Sequence, residues 1–152
     1  MLLDLARPSQ SPALVYAAVA MGTTFLGFSL NALLRPANAL SFMADRKMPK
    51  GDEEKRTVRT LLHFYAARNG FMGVGIIIAA LASTSISNAN SAFDPATAKA
   101  ILGASMVLAG GVAFGDGLAC KVNVGKGEWD HWGYAPVLIA IGAGLLGWMD
   151  RA

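Results

Sequence analysis

Four polar side chains stand where the chain is otherwise apolar enough for lipid: Asn31, Arg68, Asp116 and His131. Arg68, with Asn69 next to it, lies within LLHFYAARNGFMGVGIIIAALA at 61–82. It sits about eight residues, or roughly 12 Å, into an apolar helical pattern. A charge at that depth costs about 2.5–3.5 kcal/mol on insertion scales, so an intramembrane ionisable residue is by default a functional candidate. Asp116 lies in FGDGLA, where Gly115 and Gly117 leave the local backbone approachable, and His131 lies in GEWDHWGY beside Asp130 and Trp132.

These residue types support two roles, and both stay open on the sequence alone. An Arg68–Asp116 ion pair can simply fasten two helices, because buried charges are normally paired. Alternatively, a carboxylate held by an arginine activates water while a second titratable group in the short polar loop (Glu128, Asp130, His131) donates a proton. In the second reading Asp116, Arg68, His131 and Asp130 are the catalytic candidates. Asn31, Tyr65, Asn69 and Trp132 are then the candidates for holding substrate, although the tryptophans also suit a membrane interface.

The elements that must position these groups follow from composition. The 152 residues are 54% hydrophobic and only 15% charged, against about 25% charged in a soluble domain. The deficit falls in segments, so the chain reads as one all-α, polytopic membrane unit over 1–152. Four spans are expected, at about 13–34, 60–82, 98–119 and 132–149, forming a four-transmembrane-helix bundle. The first is read as a retained helix; it is longer than a signal-peptide core of about 7–15 residues, and only ANA at 37–39 resembles a cleavage site. The fourth is short, with Pro136 in its first turn. Small residues four apart (Ala18/Gly22, Ala66/Gly70, Gly111/Gly115, Ala143/Gly147) predict close helix crossings.

Basic residues predict sidedness. Arg35, Arg46, Lys47, Lys50, Lys55, Arg56 and Arg59 in the first loop join Lys121 and Lys126 in the third, against Arg7, Lys99 and Arg151 opposite. The first and third loops are therefore expected in the cytosol and the termini on the other side, in an endomembrane or plasma membrane. Asp45, Asp52, Glu53 and Glu54 make the first loop a solvated segment and dilute any anionic-lipid role. With this connectivity Asn31, Arg68, Asp116 and His131 all fall toward one membrane face. At 100° per residue, Phe64, Tyr65 and Met72 share the side of Arg68, whereas His63 is turned about 140° away and suits the interface. Arg35, four residues after Asn31, is placed to enter the rim of the same cavity.

Several classes are excluded or disfavoured. The net charge of +3 reads as a topology signal and no nucleic-acid partner is expected. A single cysteine, Cys120, gives no internal disulfide or zinc framework, and His63 and His131 make no all-protein zinc site without carboxylates. No cofactor is expected: there is no dinucleotide fingerprint or P-loop, and no G-x-S-x-G elbow of an α/β-hydrolase.

At YAARNG, GDGLA and HWG the chain resembles a family of small fungal and bacterial integral membrane proteins with four predicted helices, mostly without assigned function. Some fungal members look like the small membrane-bound hydrolases of aurovertin- and citreoviridin-type polyketide pathways, assigned to opening polyene-derived epoxides. That resemblance implies an enzyme of secondary metabolism, an epoxide hydrolase or cyclase without cofactor, acting on a lipophilic polyketide-type substrate. The resemblance assigns no residue; on placement alone, Asp116 would activate water or attack directly, with Arg68 as its counter-charge. His131 or Asp130 would protonate the departing oxygen, and KVNVGKGEWDHWGY would cover the site. The alternative is a non-catalytic scaffold or carrier subunit, and a homo-oligomer is compatible with either.

Overall fold

Local signals bracket each long helix. The computed structural model describes residues 7–42, 46–84 and 94–150; Asp45 and Arg151, counted above for sidedness, lie outside them. A short 3-10 turn (Pro8–Gln10) leads into α1 (Pro12–Leu34), where the Ser11 hydroxyl accepts from the Ala13 N–H at 3.3 Å. Pro36 stops α1, since the residue before a proline is pushed out of the helical region, and α2 (Pro36–Phe42) starts directly on it. α3 (Asp52–Ser83) opens with Asp52, Glu53 and Glu54 at its positive end, a favourable placement against the helix dipole. α4 (Pro95–Val124) is capped by Asp94, which accepts from the N–H groups of Ala96 and Thr97, both at 3.0 Å. Gly125 closes it in the left-handed conformation, φ 79°.

All regular elements among the described residues are helical, and α1, α3 and α4 are long and apolar enough to cross a membrane. α3 starts eight residues earlier than expected, so the DEEKR segment read as loop is its first turns. At 32 residues it extends about 48 Å, well beyond a hydrocarbon core of about 30 Å.

The expected fourth span is interrupted. Residues 129–145 form α5 (Trp129–Trp132), a break at Gly133 and Tyr134, and α6 (Ala135–Leu145). Continuing α5 would drive the Pro136 ring into the carbonyl four residues earlier, so the helix restarts with the proline in its first turn. Eleven residues give only about 16 Å, short of a full crossing.

α1 packs most closely on α3, α4 on α6, and the α3–α4 contact joins the two pairs. Glycines set both close crossings: a Cβ on Gly73 would stand 2.6 Å from the Gly22 carbonyl oxygen, and one on Gly142 would stand 2.6 Å from that of Gly103. The expected Ala18/Gly22 pair lies at the first crossing. The Gly111/Gly115 pair does not form a crossing: a Cβ at either would meet nothing within 4 Å. α4 instead turns Gly103, Gly110 and Gly117 inward, and Gly147 is a helix terminator with φ 76°.

Candidate functional site

The Ala66 face of α3 buries Leu62, Asn69, Gly73 and Ile76 against the core. This leaves Arg68 on the side turned toward α4, which carries Asp116.

 Along α4, Asp116 lies one turn before Cys120 and two turns before the helix end at Val124. The two side chains meet as a bidentate pair: Arg68 Nη1 donates to Asp116 Oδ1 at 2.8 Å and Nη2 donates to Oδ2 at 2.7 Å. Two parallel charge-assisted bonds of this kind are the strongest form such a pair takes. The guanidinium also lies 5.2 Å from the centre of the Tyr65 ring, one turn earlier on α3, within cation–π reach. The side chains are 37% and 25% exposed, so the pair is set into a wall and not sealed inside the core.

The third member arrives on α5. His131 is buried, and its Nδ1 lies 3.2 Å from the Tyr134 hydroxyl. Its Nε2 and the Arg68 Nε are buried without a hydrogen-bond partner. Trp132 anchors α5: its indole N–H donates to the Phe114 carbonyl at 3.1 Å, and its ring stacks on Phe114 at 5.5 Å. Gly117 makes room for that indole, since a Cβ there would collide with the Trp132 Nε1. At the preceding loop, Lys121 Nζ donates to Glu128 Oε1 at 2.7 Å. That hydrogen bond holds the Glu128 carboxyl below its ordinary titration range.

Two cavities open around this group. One of about 350 Å³ is lined by Leu61, Phe64, Arg68, Asp116 and Cys120. The other, about 250 Å³, is lined by Phe28, Asn31, Asn38, Phe42 and Asp130. Tyr65 and His131 line both. The structure thus gathers Asn31, Tyr65, Arg68, Asp116, Asp130 and His131 around two adjoining spaces.

Two of the expected substrate-holding residues lie elsewhere. Trp132 is turned against α4, for the packing reason just given, and lines neither cavity. Asn69 is buried on the core side of α3, its amide donating to the Tyr65 carbonyl at 2.8 Å. It is one residue, and so about 100°, away from Arg68. Glu128 is engaged by Lys121, and Arg35 is exposed at the end of α1 without lining either cavity. His63 faces a separate groove with Ser29 and Ala66. Sequence reasoning missed Tyr134, Asn38 and Cys120 as lining residues. The i, i+3 spacing of His131 and Tyr134 was a usable signal for the first, and Pro36 as a helix start was one for the second. Among the described residues no cluster of three or more His, Cys, Asp or Glu could hold a metal ion.

Fold and site together define a small all-helical protein with three helices of membrane-crossing length and an arginine–carboxylate pair joining two of them. The chain belongs to the family described as "Domain of unknown function (DUF4267)", which matches residues 22–145 and so includes every residue of this site. No curated protein and no solved structure matches the chain.

Proposed function

We propose that the protein is a membrane-embedded, cofactor-independent enzyme that opens a lipophilic epoxide, by hydrolysis or by cyclisation. The observation that carries the reading is Asp116, fixed by Arg68 in the wall of a largely apolar cavity that His131 also lines with an unpartnered Nε2. Each carboxylate oxygen keeps a second lone pair beyond its bond to Arg68. One of these takes a proton from water, or from a hydroxyl of the substrate, as that oxygen bonds to an epoxide carbon. The ring C–O bond breaks, and the freed oxygen takes a proton from His131 Nε2–H. His131 acts here as the imidazolium, its Nδ1–H donating to the Tyr134 hydroxyl, and is left as the neutral imidazole. The proton on Asp116 then returns to His131 through solvent, and the net change is addition of one O–H across the ring. Asp130, on the adjoining cavity, is the alternative donor. The two connecting segments, 35–51 and 125–128, face the cytosol in this reading, as their basic residues favour.

The test is turnover of a long-chain epoxide by the full chain in phosphatidylcholine nanodiscs, with products identified by mass spectrometry. Asp116→Asn is expected to lose about 10²–10⁴-fold, the usual worth of a positioned acid or base. Full turnover by a folded Asp116→Asn protein would overturn the reading. The bidentate geometry also favours a second role, a lock that bolts α3 to α4 in a non-catalytic scaffold. In that case wild-type protein opens no epoxide, and Asp116→Asn changes stability alone.

A further inference from the structure

We infer that the smaller cavity, walled by α2, is a head-group subsite for a neutral, hydroxyl-bearing amphiphile whose hydrocarbon chain lies in the larger cavity. Its polar lining is Asn31, Asn38, Tyr65, Asp130, His131 and Tyr134. Carboxamides and a phenol both donate and accept, and a carboxylate accepts only. That inventory matches hydroxyl groups, which also do both. An anionic head is poorly served, because Asp130 repels it and the Arg68 charge, outside this cavity, is already balanced by Asp116. The larger cavity begins at Leu61 and Phe64, 61% and 68% exposed, so its apolar rim faces outward where a hydrocarbon chain can enter from lipid.

His131 ties the two spaces into one site. It is only 7% exposed, its Nε2 has no partner, and it lines both cavities. A buried polar atom left unpaired costs about 1–3 kcal/mol, which a ligand oxygen passing between the cavities relieves. Volumes of about 250 and 350 Å³ together fall within the roughly 300–1,000 Å³ of small-molecule sites. The inference rests on the proposed function only in treating the two cavities as one site; what it adds is the neutral, hydroxylated head.

Three probes sharing one oleoyl chain test it: 1-monooleoylglycerol, methyl oleate and oleate. The full chain in phosphatidylcholine nanodiscs is treated with N-phenylmaleimide, and alkylation of Cys120, the one cysteine and a lining residue of the larger cavity, is followed by mass spectrometry. Thermal unfolding gives an independent binding readout. Monooleoylglycerol is expected to protect Cys120 and raise the Tm at concentrations about tenfold below those needed with the other two. The Asn31→Ala/Asn38→Leu double variant should bring monooleoylglycerol down to the level of methyl oleate and leave methyl oleate unchanged. Equal effects of all three probes, a stronger effect of oleate, or no effect of any overturns the subsite, and the wild-type ranking decides the matter even if the double variant does not fold. If the ranking holds while epoxides are not turned over, the catalytic reading alone fails. If epoxides are turned over without the ranking, the head-group subsite alone fails.

Discussion

Both terminal nitrogens of Arg68 are committed to Asp116, and its flat face is backed by Tyr65. Partial exposure places this pair between two limits. Exposed ion pairs contribute about 0–1 kcal/mol, whereas breaking a buried pair costs about 3–5 kcal/mol because one charge is left alone. Arg68→Ala and Asp116→Ala are each expected to destabilise the protein by about 1–3 kcal/mol on this scale. The double variant should lose clearly less than the two single losses combined, since neither charge is then stranded. Thermal unfolding of the four proteins in nanodiscs measures that coupling; strict additivity would mean that the two groups do not interact in the folded state.

Helices approach closely only where a side chain is missing. At the α1–α3 crossing a Gly73 Cβ would meet the Gly22 backbone oxygen at 2.6 Å and Leu26 at 2.9 Å, and a backbone atom cannot swing aside. Gly73→Ala therefore has to push α1 and α3 apart, at an overpacking cost of about 1–3 kcal/mol. Gly111→Ala is the matched control. It faces open space, and alanine is a better helix former than glycine. Its Tm should stay at or above the wild-type value while that of Gly73→Ala falls. The same reasoning explains α5, which reaches α4 because Gly117 leaves room for Trp132; that contact sets where His131 stands.

The first and last described segments are tied together. The Ser9 N–H and hydroxyl donate to the two Asp150 carboxylate oxygens at 2.9 and 2.5 Å, which fastens the turn before α1 to the segment that follows α6. These hydrogen bonds hold the Asp150 carboxyl below its ordinary value. A carboxyl lowered on folding stabilises above its unfolded value of about 3.9 and loses that contribution as pH falls through the lower, folded value. The Tm gap between wild type and Asp150→Asn should therefore be largest near neutral pH and close as the solution is brought below about pH 3.9. A gap of the same size at both ends would show that the tie does not depend on the ionised carboxylate.

Much of this architecture is written locally. The long apolar runs, Ser11 and Asp94 as caps, and Pro36 and Gly125 as stops define three membrane-length helices, because these effects act within a turn or two of where they are encoded. Helical geometry also separates His63 from Arg68, five residues apart, before any partner is known. The expected fourth span, with Pro136 in the first turn of a helix begun at Trp132, is interrupted instead, because the proline obliges the helix to restart at Ala135. Other features depend on partners distant in sequence. Gly103 and Gly110, not Gly111 and Gly115, face the crossing, Trp132 turns onto Gly117, and Asn69 faces the core. Likewise, Asn38, Cys120 and Tyr134 line the cavities only because α2, α4 and the break between α5 and α6 are brought beside α3. Composition and periodicity determine which residues share a helix face. Which face meets which neighbour is decided by steric fit between helices, and this depends on side chains far apart along the chain.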